Sequence, residues 1–327
     1  MRVLVTGATG LVGSHLAQQL VEAGEAVRAL VRPTSDVRRL QALGIELAPG
    51  DLNDEKSLRS ACRGVQIVYH CAARLPLGGR RERFYRTNVQ ATAALLRAAQ
   101  AAEVERFVYT STVDVYGYAD QRGTDEETPF RADGYYSETK IAAEKLLWQA
   151  YRSEHFPVAI IRPCLIYGPY DRNLWPALLR MLAGHHVPLI GGGRTLADIV
   201  YAGDVAQALR LAGRRAEALG QAYNVTDGAE RTVRQLLSAF AQALHLEPRF
   251  FRLPYAPAYG AAQLLAGISR TLGFNLPADL QPDIIKALGH DRHFNIGKAR
   301  AQLGYRPQVD LETGLAQTLA WYNQRPV

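Results

Sequence analysis

The chain has few cysteines and few lysines. Cys62, Cys71 and Cys164 stand far apart, without the spacing of a metal site or a disulfide framework, which predicts buried thiols in a reducing compartment and no metal. The pair at His185 and His186 lacks a third ligand and is expected at the surface. Lysine occurs only five times, so the net charge of +7 comes mainly from arginines spread along the chain without interleaved aromatic residues. That distribution does not indicate nucleic-acid binding.

Long hydrophobic runs are absent as well. No apolar stretch approaches the roughly 20 residues needed to span a bilayer, and the N-terminus predicts a core strand rather than a charged, apolar, cleavable signal. We therefore expect a cytoplasmic protein with no membrane partner. The 327 residues, 48% of them hydrophobic, can bury a sizeable core and divide into one large and one smaller domain.

The chain is organised around its first turn, which reads RVLVTGATGLVGSH over residues 2–15. A short alternating strand precedes three glycines, and an apolar helical run begins at Leu11. Gly7 lets the chain reverse, Gly10 lets backbone N–H groups approach a pyrophosphate, and Gly13 lets the helix pack against the strand. This spacing also fits a plain tight turn, but its position between a strand and a helix indicates a dinucleotide site.

The residues after the second predicted strand, Ala26–Val31, bear on which dinucleotide is bound. An acidic residue at this strand end accepts a hydrogen bond from the 2′-hydroxyl of NAD, whereas arginine suits the 2′-phosphate of NADP. This chain has Arg32 there, with Thr34 and Ser35 as further donors. We therefore expect NADP rather than NAD. The alternative is that Arg32 is a solvated strand-end charge and that Asp36 reaches the ribose.

The third and fourth predicted strands end at the edge on which an open α/β sheet binds its ligand. Asp51 could accept from the adenine amino group, with Leu52 packing on the ring, or it could cap the next helix. Ala72 and Ala73 would let the backbone pass close to the cofactor. His70 is interpreted as a hydrogen-bonded core histidine and not as a base.

A long helix is predicted from Arg81 to Ala102, with Asn88 on an otherwise apolar and small face. A buried asparagine can bridge backbone groups to each other or to a water, so its simplest explanation is structural. The basic loop before the helix, residues 78–83, is expected to be solvated; an acidic substrate group is the alternative partner.

Tyr136 and Lys140 lie one turn apart on a second predicted helix, Tyr136 to about Glu154, and hence on one face. Such a pair arises readily by chance, but this one follows the strand Arg106–Tyr109 and the hydroxyl-rich run that contains Thr112. Those hydroxyls could cap a turn or hold a substrate oxygen. An ammonium about 4 Å from the phenol would lower the pKa of Tyr136 by up to about three units before desolvation subtracts. Tyr136 could then exchange a proton with a substrate hydroxyl near neutral pH.

The regular alternation of strands and helices breaks after a sixth strand that begins at Val158. We predict an α/β fold, a Rossmann-type doubly wound parallel sheet in residues 1–168 that is completed by about 195–227. Residues 169–327 then form mainly a smaller, largely helical substrate lobe. Its helices are expected near 175–183, 233–244, 257–272 and 311–323.

Several motifs together resemble the extended short-chain dehydrogenase/reductase superfamily, and the resemblance covers essentially the whole chain. They are TGATGLVG at 6–13, GDL at 50–52, HCAA at 70–73, Asn88, YTSTVDVYG at 109–117, YSETK at 136–140, RPCLIYGP at 162–169, IVYAGDVA at 199–206, YNV at 223–225 and FNIGKARAQLGYRP at 294–307. With VRPTSD at 31–36, the sequence looks most like the branch of 3β-hydroxysteroid dehydrogenases, dihydroflavonol reductases and β-keto-acid reductases.

The resemblance implies a catalytic set in which Thr112 holds the substrate oxygen, Tyr136 is the acid/base, and Lys140 grips the nicotinamide ribose and lowers the pKa of the tyrosine. It implies cofactor contacts at Gly7, Thr9, Gly10, Leu11, Val12, Gly13, Arg32, Asp51, Leu52, Cys71, Ala72, Ala73, Asn88, Thr110, Tyr136, Lys140 and Pro163. A homodimer through the two long helices is common among relatives and is expected here.

Two departures from the family pattern bear on the reaction. Nucleotide-sugar members carry an asparagine that contacts the diphosphate where this chain has Leu165, and an apolar side chain cannot supply that contact. Sugar-nucleotide 4,6-dehydratases show two acidic residues after the catalytic threonine. This chain has Val113 at the first of these positions and Asp114 at the second.

We therefore predict an NADP(H)-dependent oxidoreductase that interconverts a secondary alcohol and a ketone on a moderately large, mainly apolar small molecule. The substrate is expected to resemble a steroid, a flavonoid or a keto acid. The alternatives are a nucleotide-sugar epimerase or dehydratase with tightly bound NAD(P), and a non-catalytic NADP-binding sensor.

Overall fold

A computed structural model of the chain describes residues 1–76, 79–184, 186–272 and 280–324. Gly78 of the basic loop and His185 of the expected surface pair lie outside these residues, whereas His186 is exposed. Strands β1 to β13 are, in chain order, Arg2–Thr6, Ala26–Val31, Glu46–Pro49, Ile67–His70, Arg106–Thr110, Gln121–Thr124, Val158–Pro163, Leu165–Tyr167, His186–Ile190, Ile199–Tyr201, Gln221–Val225, Arg249–Leu253 and Arg292–Phe294. Helices α1 to α12 are Leu11–Glu22, Arg38–Ala42, Glu55–Cys62, Arg81–Tyr85, Ala91–Ala101, Tyr135–Glu154, Leu174–Ala183, Ala202–Arg214, Val233–Ala243, Tyr255–Leu272, Pro282–Gly289 and Leu311–Asn323.

The central sheet contains seven parallel strands in the order β11-β7-β5-β4-β1-β2-β3. Crossover helices cover both of its faces, which explains why β1, β2 and β7 are almost continuously apolar and buried. The predicted Rossmann-type fold class is confirmed. Because all strands run the same way, the loops that follow β1, β2, β4, β5 and β7 meet at one edge.

Each face of the sheet has its own hydrophobic core. On one face α1 and α8 pack together, and α1 buries Leu16, Ala17 and Leu20 at helical spacing. On the other face α3, α5 and α6 pack around residues such as Leu95 and Leu147. Burial at this spacing fixes how α1 and α6 rotate, and so which side chains reach the sheet edge.

The predicted helix from Arg81 to Ala102 is present but contains a π-helical turn, Arg86–Gln90, between α4 and α5. The extra residue in this turn lies where the side chain of Asn88 is buried. A regular 3.6-residue periodicity could not have indicated this turn.

The C-terminal lobe contains the predicted helices α7, α9, α10 and α12, together with the unpredicted α11. Two parallel strand pairs, β9 with β12 and β6 with β13, were not predicted either. The segment 198–206 forms β10, which pairs with β8, and the start of α8. The division into two domains at residue 168 stays a prediction.

The described residues contain neither a candidate membrane-spanning helix nor a candidate metal cluster. No helix in these ranges is long and apolar enough to cross a membrane. No group of three or more His, Cys, Asp or Glu side chains among them could hold a metal ion.

Candidate active site

The first turn forms a cradle of bare backbone at the sheet edge. Gly7 has φ +72° and its carbonyl accepts a hydrogen bond from Gly10 N at 2.9 Å. A Cβ on Gly13 would lie 2.1 Å from the Gly7 oxygen, and one on Gly7 would lie 2.8 Å from Ala72 N. The first turn of α1 carries no acidic side chain, so its free N–H groups and positive dipole end are open to an anion. These residues fit a pyrophosphate, and Thr9, Leu11 and Val12 line the same turn half-buried.

At the expected adenosine end, Arg32 is exposed directly after β2. The Asp36 carboxylate pairs with Arg38, accepting from its guanidinium at 2.9 and 2.7 Å and from its backbone N at 3.3 Å. Asp51 caps a local turn instead of the next helix, accepting from the backbone and side-chain nitrogens of Asn53 at 2.8 and 2.7 Å. These bonds, with the charge of Arg32, lower the pKa of Asp51, so it is ionised at neutral pH. Leu52 beside it is half-buried.

The segment after β4 forms a wall behind the glycine turn, where a Cβ on Gly7 would meet the Ala72 backbone. His70 is buried, with its ring nitrogens 2.6 Å from the hydroxyl oxygen of Thr6 and 2.9 Å from that of Thr92. Burial lowers the pKa of His70 to about 3, which keeps the imidazole neutral, as expected of a core histidine. Cys71, Ala72 and Ala73 follow as small, half-buried residues, and Pro163 is buried at the end of β7.

Asn88 ties this wall to the helix that carries the tyrosine. Its amide oxygen accepts from Arg74 N at 2.7 Å, and its amide nitrogen donates to Arg74 O and to the Thr139 hydroxyl, both at 3.1 Å. The side chain is thus used as a bridge, which matches the structural explanation. Direct contact with a cofactor stays a prediction.

The three predicted catalytic side chains meet at the end of β5. The Tyr136 side chain shares a hydrogen bond with the Thr112 hydroxyl. Lys140 is 1% exposed, donates to the Thr110 carbonyl oxygen at 2.6 Å, and has its Nζ 4.1 Å from the centroid of the Tyr109 ring. The end of β5 and its loop thus contact both residues of α6, since Thr112 bonds to the Tyr136 side chain and Thr110 to the Lys140 ammonium.

Burial changes the acidity of both titratable groups in this set. It lowers the pKa of Lys140 to about 7, against the opposing effects of Glu144 and Cys71. Burial and the negative charge of Asp114 raise the pKa of Tyr136, and the bond to Thr112 only partly offsets them. The expectation that Lys140 makes Tyr136 acidic was therefore wrong for the protein's own groups. That expectation assumed a full ammonium charge on Lys140 and did not subtract the effect of desolvation. Desolvation is the largest effect on the pKa of both residues.

A buried polar network behind Lys140 was not predicted. Glu144, one helical turn after Lys140, is fully buried and forms an ion pair with Arg162 at 2.6 Å. Arg162 also donates to the Tyr116 hydroxyl at 2.7 Å, and Ser111 donates to Glu144. The four-residue spacing from Lys140 to Glu144, and the arginine that precedes Pro163, were the available sequence signals. The network fixes α6 against β7 and the loop after β5.

A second charged pair was also missed. Asp114, two residues after Thr112, forms an ion pair with Arg292 of β13 at 2.6 Å. Leu165, which stands where nucleotide-sugar members have asparagine, is 51% exposed.

Comparison with known proteins identifies relatives over the full length of the chain. The family model described as "NAD dependent epimerase/dehydratase family" matches residues 3–226. The chain is 32% identical over 320 residues, 96% of its length and 95% of the relative, to the 4-hydroxy-2-methyl-3-oxo-4-farnesyl-3,4-dihydroquinoline-1-oxide ketoreductase of Stigmatella aurantiaca. It is 32% identical to the 3 beta-hydroxysteroid dehydrogenase/Delta 5-->4-isomerase of Mycobacterium tuberculosis, covering 98% of this chain and 90% of the relative. The crystal structure of DesIV, a dTDP-glucose 4,6-dehydratase from Streptomyces venezuelae with NAD and TYD bound, is 28% identical with a TM-score of 0.77, covering 99% and 97%.

Proposed function

Since the chain belongs to the NAD-dependent epimerase/dehydratase family, we propose that this NAD(P)-dependent oxidoreductase uses NADP(H) to interconvert a secondary alcohol and a ketone. Its substrate is a moderately large, mainly apolar small molecule. The chain is of the extended short-chain dehydrogenase/reductase type. The observation that carries the proposal is the convergence of Thr112, Tyr136 and Lys140 at the end of β5, at the same sheet edge as the glycine cradle.

The side chains have distinct tasks in ketone reduction. The Thr112 hydroxyl holds the carbonyl oxygen, and the Tyr136 hydroxyl donates the proton that turns this oxygen into an alcohol. Lys140, whose ammonium donates to the Thr110 carbonyl oxygen, is the group that would hold a nicotinamide ribose. The reduced cofactor, when bound, supplies the hydride that reaches the carbonyl carbon. In the reverse direction Tyr136 accepts the proton again.

Two features support an apolar substrate over a sugar nucleotide. Leu165 is exposed where an amide would otherwise contact a diphosphate, so a charged group there would meet only an apolar side chain. Both curated relatives described above act, by their names, on farnesylated or steroid compounds.

Turnover assays distinguish the candidate functions. We expect NADPH oxidation with at least one member of a panel of steroid ketones, flavanonols and 2-alkyl-3-oxo acids. The rival sugar-nucleotide function, which the DesIV similarity favours, predicts epimerisation or dehydration of UDP- or dTDP-sugars without net NADPH use. Turnover of those sugars alone would overturn the proposal, and no turnover with either panel would favour the sensor.

The tyrosine has a matched control next to it. Tyr136→Phe should lower the ketone reduction rate by about 10² to 10⁴-fold, since it removes the proton donor, with NADPH binding retained. Tyr135 is 46% exposed and precedes it on α6, so Tyr135→Phe should leave the rate within about twofold. Equal losses in both variants would argue against Tyr136 as the acid.

We propose NADP as the cofactor on the basis of Arg32. It is exposed at the end of β2, and the competing acid, Asp36, is occupied by Arg38. Because a charged hydrogen bond contributes about 1.5–3 kcal/mol, Arg32→Ala should weaken NADPH binding by roughly 10- to 100-fold and leave NADH binding unchanged. Arg59→Ala, at an exposed site on α3, is the control. Equal affinity of the wild type for NADPH and NADH would contradict the assignment.

A further inference from the structure

Arg292 connects the C-terminal lobe to the loop that presents Thr112. Its guanidinium donates to the Asp114 carboxylate at 2.6 Å and to the Gly117 carbonyl at 3.0 Å. Its Cζ lies 4.8 Å from the centroid of the Tyr118 ring and 5.4 Å from that of Phe294. The Arg292 side chain is only 12% exposed, and that of Asp114 20%. A pair so enclosed is screened far less than a surface ion pair.

The same loop holds the catalytic hydroxyls. Thr112 caps the 3-10 turn Val113–Tyr116, and its hydroxyl oxygen accepts from Asp114 N at 3.2 Å. The Tyr136 side chain bonds to that same hydroxyl. The carboxylate that pairs with Arg292 therefore belongs to Asp114, whose backbone N donates to the Thr112 hydroxyl. That hydroxyl in turn bonds to the Tyr136 side chain.

We propose that Arg292 is a positioning residue of this active site, which fixes the Thr112 turn and offsets part of the charge of Asp114 near the Tyr136 hydroxyl. The inference rests on the proposed role of Tyr136 as the acid/base. Without Arg292, an uncompensated carboxylate would oppose formation of the tyrosinate. With it, Asp114 can shape the turn at a smaller electrostatic cost to the proton transfer.

The charged and titratable groups around Tyr136 come from five elements. Lys140 lies one turn along its own helix α6, and Tyr109 lies on β5. Asp114 comes from the 3-10 turn, and Tyr118 follows that turn, with Arg292 reaching it from β13. Asp283 of α11 also acts on Tyr118. Of these groups, Asp114 and Arg292 form an ion pair, so each can be substituted alone and both can be substituted together.

The test is a direct titration of Tyr136, with no substrate. Protein labelled with ¹³C at the tyrosine ζ carbon is saturated with NADP⁺, and in parallel with NAD⁺, and the Tyr136 signal is assigned by its loss in Tyr136→Phe. The ionised fraction is followed from neutral pH to about pH 10. Asp114→Asn should shift the titration down by about one pH unit and Arg292→Gln up by a similar amount, whereas the double variant should return close to the wild type.

A purely structural role gives a different result. Loss of a clamp would affect both single variants in the same direction and the double variant at least as much, and that outcome, or no shift in Asp114→Asn, would overturn the proposal. Arg122→Gln is the matched control, because Arg122 of β6 pairs with Asp291 at 2.6 Å beside the same strand but is 74% exposed. Asp114→Asn conserves shape, so it keeps the test decisive where Arg292→Gln fails to fold.

The outcome is separable from that of the proposed function. Opposite shifts with no ketone turnover would support the inference and reject the ketone substrate. Ketone turnover with no shift of the Tyr136 titration in the variants would support the ketone substrate and reject the inference.

Discussion

The burial of Lys140 predicts a pH dependence of folding stability. The side chain is 1% exposed, and burial lowers its pKa from 10.5 to about 7 in the folded protein. In the unfolded chain the lysine keeps its ordinary pKa. Between about pH 7 and 10.5 the unfolded state therefore binds more protons than the folded state, so the free energy of unfolding rises with pH over this interval.

The magnitude follows from the size of the shift. One pKa unit corresponds to about 1.36 kcal/mol, so the contribution of Lys140 should rise by about 3 kcal/mol between pH 7 and about 9.5. Below pH 6 the lysine is protonated in both states, and its contribution is constant and least favourable.

Urea unfolding, followed by tryptophan fluorescence at several pH values, measures this contribution as the difference between the wild type and Lys140→Met. The difference removes the titration of other groups, which both proteins share. Lys145 is exposed on the same helix, so Lys145→Met should show no such slope. A difference between the wild type and Lys140→Met that is flat, or that falls with pH, would refute the reasoning.

Three further substitutions or reactions test the packing of the site. Gly13→Ala should abolish nucleotide binding and destabilise the fold, because its Cβ would lie 2.1 Å from a backbone oxygen. Gly267 occupies an open position of α10, so Gly267→Ala should stabilise the protein by up to about 1 kcal/mol, as measured by thermal unfolding. Glu144→Gln should lower the free energy of unfolding by about 3–5 kcal/mol, because it leaves the buried Arg162 without its carboxylate partner. Glu138 forms an exposed ion pair, so Glu138→Gln should lower the free energy of unfolding by less than about 1 kcal/mol. Burial raises the pKa of Cys71 to about 11, so iodoacetamide at about pH 8 should alkylate it far more slowly in the folded protein than in urea, as followed by mass spectrometry.

Local periodicity predicted the first half of the fold. The strand Ala26–Val31 and the glycine turn are present as expected, since a strand, a tight turn and an amphipathic helix each leave a pattern within a few residues. Tyr136 and Lys140 were found in the same way, because helical spacing places them on one face. The position of this helix in the chain, after β5 and the hydroxyl-rich run that contains Thr112, distinguished it from a chance pair.

The features that were missed depend on contacts between distant parts of the chain. Strands β6 and β13 are about 170 residues apart in sequence, and so are Asp114 and Arg292, so no local pattern links them. The π-helical turn depends on Asn88 bridging to Arg74 and Thr139, which again is a tertiary contact. Such short parallel pairs follow from how the lobe packs, and their sequences carry little signal of their own.

The pKa values show why residue types alone misjudged the chemistry. Burial favours the neutral form of both Lys140 and Tyr136, so it moves the two pKa values apart, by lowering that of the amine and raising that of the phenol. The protein alone therefore keeps the phenol protonated at neutral pH, which is the form that donates a proton to a ketone. Alcohol oxidation needs the phenolate instead, so it requires additional positive charge at the site. Because Arg292 pairs with Asp114, less additional positive charge is needed to ionise Tyr136. A contact made by the C-terminal lobe thereby affects the acidity of a hydroxyl on α6.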